Sequence, residues 1–190
     1  MDTKTRLMDQ AERLARQRGV DAFSFADLST ALAIKKASVH YHFPTKADLI
    51  AQLLDRYAER VGAALHEISQ SENSAAAQLS AYVSIYRAAL QDGQSLCLCV
   101  AYASAPESVS QGVQDRLNAF HTSSMAWLET VFARGQYDGT IRSVAVPNAE
   151  SAATLALVEG AQLVARAAQD VSRFDAATQF LMDRLTKTER

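Results

Sequence analysis

Residues 24–48 read SFADLSTALAIKKASVHYHFPTKAD, which holds two short helices joined by a tight turn and then the start signal of a third. Ser24 offers an oxygen to free backbone N–H groups, and Asp27 favours the positive end of the helix dipole, so a helix starts there. Phe25, Leu28, Ala31 and Leu32 fall on one helical face and pack inward, while Asp27, Ser29 and Thr30 fall on the other. The pattern breaks at Ala33-Ile34-Lys35. A new helix from about Lys36 to Phe43 then buries Val39 and Phe43 and shows Lys36, Ser38, His40, Tyr41 and His42. Pro44 stops it, because proline cannot donate and drives the preceding residue out of the helical region. Thr45 caps the next helix, with Asp48 placed for a capping box. This is the layout of a helix-turn-helix that reads DNA.

The string KKASVHYHFPTKADL, residues 35–49, resembles the helix-turn-helix end of the TetR family of transcriptional regulators. That family's pattern runs small residue, Thr or Ser, hydrophobic, Tyr, an aromatic or His pair, Phe, a short turn and Lys. Ala37, Ser38, Val39, His40, Tyr41, His42, Phe43 and Lys46 carry it here. There are two departures: His40 stands where Tyr is common, and Ala33 stands in the turn where the family usually has Gly. Ala33 therefore needs either a turn that tolerates a Cβ or some strain. The motif lies in the first quarter of the chain, and beyond it the likeness is one of length and helical character.

A chain of 190 residues, 48% hydrophobic, with three prolines and seven glycines, can bury one or two cores and leaves little room for a loop-rich fold. The expectation is an all-α protein of about nine helices. Residues 1–47 would form a three-helix DNA-binding head and residues 48–190 a helical effector-binding and dimerisation domain. No apolar run is long enough to span a bilayer, and MDTKTRLMDQAERLARQRG is amphipathic, unlike a secretion signal, so the expected location is the cytoplasm. Two cysteines are too few for a disulfide framework, in keeping with a reducing compartment.

The net charge of −2 argues against a protein that coats nucleic acid nonspecifically. Its distribution is uneven: residues 1–56 carry nine Lys or Arg against seven Asp or Glu, and residues 57–190 ten against fourteen. A small, mildly basic head on an acidic body fits that balance.

Along the chain, helices are expected at about Thr3–Arg18, with Leu7, Ala11, Leu14 and Ala15 inward, and at about Lys46–Ser69, linking head to body through Leu49, Ile50, Leu53, Leu54, Tyr57 and Val61. SQSENS, residues 69–74, reads as a loop. Further helices are expected at about Ala75–Gln91, Ser95–Ala103, Pro106–Gly135, Ala149–Ala168 and Arg173–Lys187. QYDGTIRSVAVPN, residues 136–148, reads as a loop with a short extended piece.

Mechanistically, the helix bearing Ser38, His40, Tyr41 and His42 would enter the major groove, where base edges carry distinguishable donor and acceptor patterns. Lys35, Lys36 and Lys46 would meet phosphates, with Ser24 and Ala37 completing the expected DNA-contacting set. The plain alternatives are that Tyr41 packs between helices and that the histidines are merely solvated. His40 and His42 point about 200° apart on a helix, so they do not converge on a metal, and no cofactor is expected.

One head makes too few contacts for selective binding, so a homodimer on a near-palindromic double-stranded operator is implied. Ala152, Leu155, Ala156, Glu159, Gly160, Leu163 and Ala167 form a small and apolar stripe, and Phe174, Phe180, Leu181 and Leu185 add bulk. Paired with a second copy they would build a four-helix bundle, the manner in which TetR-like proteins dimerise. Ordinary intrachain core is the alternative for some of these positions.

The resemblance also implies a small-molecule effector pocket in the body. Tyr86, Leu96, Tyr102, Phe120, His121, Met125, Trp127 and Gln162 supply the apolar and aromatic lining such a site uses, and they are equally suited to core. Cys97 and Cys99 lie near an expected helix start, where the dipole favours thiolate, so one of them could sense electrophiles or oxidants. Two apart on a helix, they would point to different sides; the alternative is that both are buried small hydrophobes. No G-x-S-x-G, Gly-rich phosphate loop, His-Glu-x-x-His or zinc spacing occurs, so an enzyme is not expected. The expectation is a repressor released from its operator by a small molecule; a thiol-based sensor and a helical adaptor without DNA binding are the alternatives.

Overall fold

Capping chemistry starts the helices of the head. In the computed structural model, which describes residues 2–186, α1 spans Thr3–Arg18 and opens with the Thr5 N–H donating to Asp2 Oδ1 at 2.7 Å. It ends at Gly19, whose φ of 93° a side chain rarely adopts. Ser24 and Asp27 form a reciprocal capping box for α2, Phe25–Leu32, as do Thr45 and Asp48 for α4, Lys46–Ser71. Between them α3, Lys36–His42, buries Val39, and Phe43 just past its end is fully enclosed. The turn from α2 to α3 places Ala33 in the left-handed region at φ 53°, ψ 41°. Its N–H donates to Thr30 O and the next N–H, of Ile34, to Ser29 O, the paired bonds of a Schellman motif with a hydrophobic residue after the cap. Ala31, expected inward, is exposed, and Leu32 is half-buried; α2 is anchored by Phe25 and Leu28 alone.

The body adds α5, Ala75–Ala89; α6, Leu98–Ala103; α7, Gln111–Asp138; α8, Pro147–Ala168; and α9, Ser172–Met182, making nine helices among the described residues. Long α7 and α8 pack side by side, α9 lies against α8, and α4 and α5 lie against α7. One apolar core runs from Leu7, Leu28 and Phe43 in the head through Leu53, Leu54 and Tyr57 on α4 to Leu79, Leu98, Phe132 and Phe174 in the body. Among the described residues, no helix is long and apolar enough to cross a membrane.

Several ends differ from the sequence expectation for definable reasons. Helix α4 runs two residues past Ser69, to Ser71. Helix α5 stops at Ala89, because Gln91, Asp92 and Gly93 all have positive φ. Residues 95–97 are not helical: the Ser95, Leu96 and Cys97 N–H groups donate to Leu90 O, Arg16 O and Gln162 Oε1, so α6 starts only after Cys97. Pro106 opens a separate 3-10 turn, Pro106–Ser108, rather than α7. Helix α7 runs through Gly135, where a Cβ would stand 2.7 Å from the Ile141 side chain, and ends at Gly139 with φ 68°. Helix α8 begins two residues early, at Pro147, which suits a first-turn proline. The expected extended piece is an antiparallel bridge of Ile141 to Leu185, which stops α9 short of the expected Lys187; Lys187 itself lies outside the described residues.

Candidate nucleic-acid interface

The outer face of α3 is where the head departs from ordinary burial. Tyr41 is 84% exposed, so its ring does not pack between helices; its nearest aromatic partner is His42, edge-on at 5.1 Å. Tyr41, His42, Ser38 and Ala37 share a surface cleft of about 350 Å3 with Ile34 and Thr3. Ile34 and Thr3 escaped sequence reasoning, since only the fold brings the first turn of α1 beside α3. Lys35 and Lys36 are exposed at the start of α3.

His40 faces another way. Its ring meets Phe25 edge-on at 5.0 Å, and Nδ1 lies 3.4 Å from Pro44 O. Lys46 is held inside the head: its Nζ donates to Phe23 O at 2.7 Å and sits 4.6 Å from the Phe23 ring centre. Burial lowers its pKa, with Asp21 and Asp27 acting the other way. It must leave Phe23 before it can extend to a phosphate. Ser24 is exposed, with its hydroxyl donating to Asp27 Oδ2 at 2.7 Å.

The head is tied to the body through buried charge. Glu12 on α1 accepts from Arg56 at 2.8 Å and Arg60 at 2.5 Å on α4. Burial raises the Glu12 pKa, but the hydrogen bonds and charges of Arg60 and Arg56 outweigh it, so the carboxyl stays below its ordinary value. Arg16 Nε donates to Leu96 O at 2.8 Å while the Leu96 N–H returns to Arg16 O at 3.1 Å. Arg166 on α8 reaches Gln17 O at 2.8 Å.

The body holds a cleft of about 330 Å3 between α4 and α7, lined by Leu54, Asp55, Ala58, Val61, Gly62, Leu65, Arg116, Ala119, Phe120, Ser123 and Ser124. Phe120 alone of the eight expected effector residues lines it. Tyr102 is fully buried and donates to Ile50 O at 3.1 Å, while Tyr86 is buried beside Tyr82 with the hydroxyls 3.3 Å apart. Burial raises both phenol pKa values. Gln162 is fully buried as a strut between Cys97 N and Tyr86 O. Leu96 sits at the head junction, His121 pairs with Glu159 at 3.1 Å, Trp127 stacks on Tyr82 and donates to Ser69 Oγ at 2.8 Å, and Met125 is half-buried. The signal that could have located the cleft is a run of small residues four apart on facing helices, Ala58 and Gly62 against Ala119 and Ser123.

Both cysteines are buried. Cys97 is the cap of α6, its Sγ accepting from the Val100 N–H at 3.3 Å. Burial pushes the Cys99 thiol well up, and the adjacent Cys97 side chain adds to it. Cys97 itself lies just outside the helix, at its N-cap.

The outer face of α8 and α9 is apolar and uncovered. Ala152, Ala156 and Gly160 are exposed, with Leu163 at 45%, Val164 at 56% and Phe180 at 61%. Leu155, Phe174 and Leu181 point the other way, into the core of their own chain.

A family model described as bacterial regulatory proteins, tetR family, matches residues 7–53. The HTH-type transcriptional regulator TtgR of Pseudomonas putida is 31% identical over 58 residues, a match that spans 30% of this chain and only 28% of that curated relative. A TetR-family transcriptional regulator from Agrobacterium tumefaciens has a similar structure along nearly its whole length, with 30% identity, 97% of each chain covered and a TM-score of 0.90. A TetR transcriptional regulator from Legionella pneumophila follows at 28% identity, 98% of each chain and a TM-score of 0.86.

Proposed function

The chain belongs to the TetR family of bacterial regulatory proteins, and from that premise we propose that it is a homodimeric, DNA-binding transcriptional repressor that leaves its operator when a small molecule enters its body. The observation that carries the reading is Tyr41: a large aromatic side chain, 84% exposed on the outer face of a seven-residue helix, has no structural duty there. A major groove gives it one. Ser38 and His42 share its cleft and offer a hydroxyl and an imidazole to base edges or phosphates, and Lys35 and Lys36 stand at the helix start for phosphates. Ala37 lets the helix approach closely.

The uncovered face of α8 and α9 supports pairing of two copies, which would hold two α3 helices at fixed separation and so favour a near-palindrome. Release by a small molecule requires a ligand that binds better to the form with wrongly spaced heads. A cleft bordered by α4 supports this, because α4 begins in the head at Lys46 and reaches the cleft at Leu54. The buried, raised-pKa Cys99 offers no ready thiolate, which favours this reading over thiol sensing.

The test is a mobility shift with DNA flanking the protein's own gene. Wild-type protein should shift it with an affinity that falls steeply with salt, and Tyr41→Ala should weaken the shift at least about tenfold, the loss of roughly one good base contact per head. Equal binding by the variant overturns the role given to α3, and no salt-sensitive binding at all points to a helical adaptor instead.

A further inference from the structure

The α4–α7 cleft exists because small side chains face one another across it, Ala58 and Gly62 on α4 and Ala119 and Ser123 on α7. Its wall is the buried apolar surface of Leu54, Val61, Leu65 and Phe120. An apolar cavity of about 150 Å3 suffices for a benzene ring. A volume of about 330 Å3 therefore has room for two rings.

Charge narrows the occupant further. The two ionic groups of the lining, each about half exposed, pair with each other: Arg116 Nε meets Asp55 Oδ1 at 2.9 Å, and its Nη1 donates to Gly112 O at 2.9 Å. An anionic ligand at Arg116 would meet the repelling Asp55 carboxylate beside it. A cationic ligand would find Asp55 neutralised by Arg116. Either would give up hydration against an apolar wall at a rim whose two charges cancel, whereas a hydroxyl or carbonyl can use the exposed Ser123 hydroxyl.

We propose that this cleft binds an uncharged two-ring molecule bearing one hydroxyl or carbonyl group, and that the Asp55–Arg116 pair is what discriminates against ions. The chemistry of binding stands on the cleft alone; the effector role of such a molecule rests on the ligand-released repressor reading above.

The experiment is calorimetric titration of the DNA-free protein with three molecules of one shape, biphenyl-4-methanol, biphenyl-4-carboxylate and 4-(aminomethyl)biphenyl as its cation. The alcohol should bind saturably, and both ions at least about tenfold more weakly, reflecting the cost of desolvating an unpaired charge. Gly62→Leu should abolish alcohol binding. A Cβ at Gly62 meets nothing within 4 Å, and leucine is a better helix former than glycine, so this variant should melt no lower than wild type while filling the cleft. Asp55→Asn should free Arg116 and raise carboxylate binding at least about tenfold relative to wild type, as an unpaired guanidinium pairs with a carboxylate. Equal binding of all three probes, unimpaired alcohol binding by Gly62→Leu, or an unchanged carboxylate in Asp55→Asn each overturns the proposal. Release of operator DNA by the alcohol is scored separately: binding in the cleft without release contradicts the repressor reading and leaves the cleft's selectivity standing.

Discussion

Ala33 shows how a single residue can satisfy a turn at a cost. Its backbone is left-handed, a conformation that crowds a Cβ and costs an L-residue about 1–2 kcal/mol. The Schellman bonds around it still form, so the motif tolerates the alanine. Ala33→Gly should therefore stabilise the protein by about 0.5–1 kcal/mol, since glycine's extra unfolded-state freedom offsets part of the relief. Thermal melting checks this, and an unchanged or lower midpoint would show that the turn is unstrained. Sequence alone identified the position but left strain and tolerance open; the φ value decides between a relaxed and a left-handed turn. Tyr41 was legible as a surface residue from its place opposite Val39 and Phe43. Lys46 was not legible, because its partner Phe23 lies 23 residues earlier in the sequence and meets it only through the fold.

Helix α1 and helix α4 are joined by the Glu12 carboxylate, and this sets a pH dependence. The folded pKa of Glu12 lies below its ordinary value of 4.5, so its contribution is fully present above that pH and is lost as pH falls through the depressed folded value. Glu12→Gln should cost about 1–2 kcal/mol near neutral pH, because it removes charged hydrogen bonds to a buried carboxylate while Arg56 and Arg60 stay partly hydrated, and it should flatten the acid limb of the stability curve. Denaturant unfolding at neutral and acid pH checks both. A variant whose loss is the same at every pH would contradict the assignment. Elements were legible wherever apolar periodicity and a cap coincided, as in α1, α2 and α4. They were misjudged where a long-range partner took the backbone N–H groups: Gln162 and Arg16 claim those of Cys97 and Leu96, and no local pattern marks that claim. Aromatic side chains such as Tyr86 and Tyr102 fill the core here, while the α4–α7 cleft is made by small residues, so aromatic character does not mark the cleft.

For the molecule as a whole, the proposed operator reading requires two chains. Leu163, Val164 and Phe180 expose apolar area on one face, whereas Leu155, Phe174 and Leu181 of the same expected stripe are inside. Periodicity named the helices of the proposed interface and could not say which side of each faced out, because helix packing within the chain uses the same small and apolar residues. Leu163→Glu combined with Phe180→Glu should yield a folded monomer, seen by sedimentation as half the mass with unchanged helicity. Losing the linkage between heads should weaken operator binding about a hundredfold. A dimer that survives both changes would place the interface elsewhere. Reading of DNA by a paired head through α3 is tested by measuring the dissociation constant of wild-type protein on its selected operator as salt is varied. With about three phosphate contacts per head, log affinity should fall against log salt with a slope of about −5, and one dimer should bind per near-palindrome. A slope near zero, or equal affinity for an unrelated sequence at every salt concentration, would contradict it.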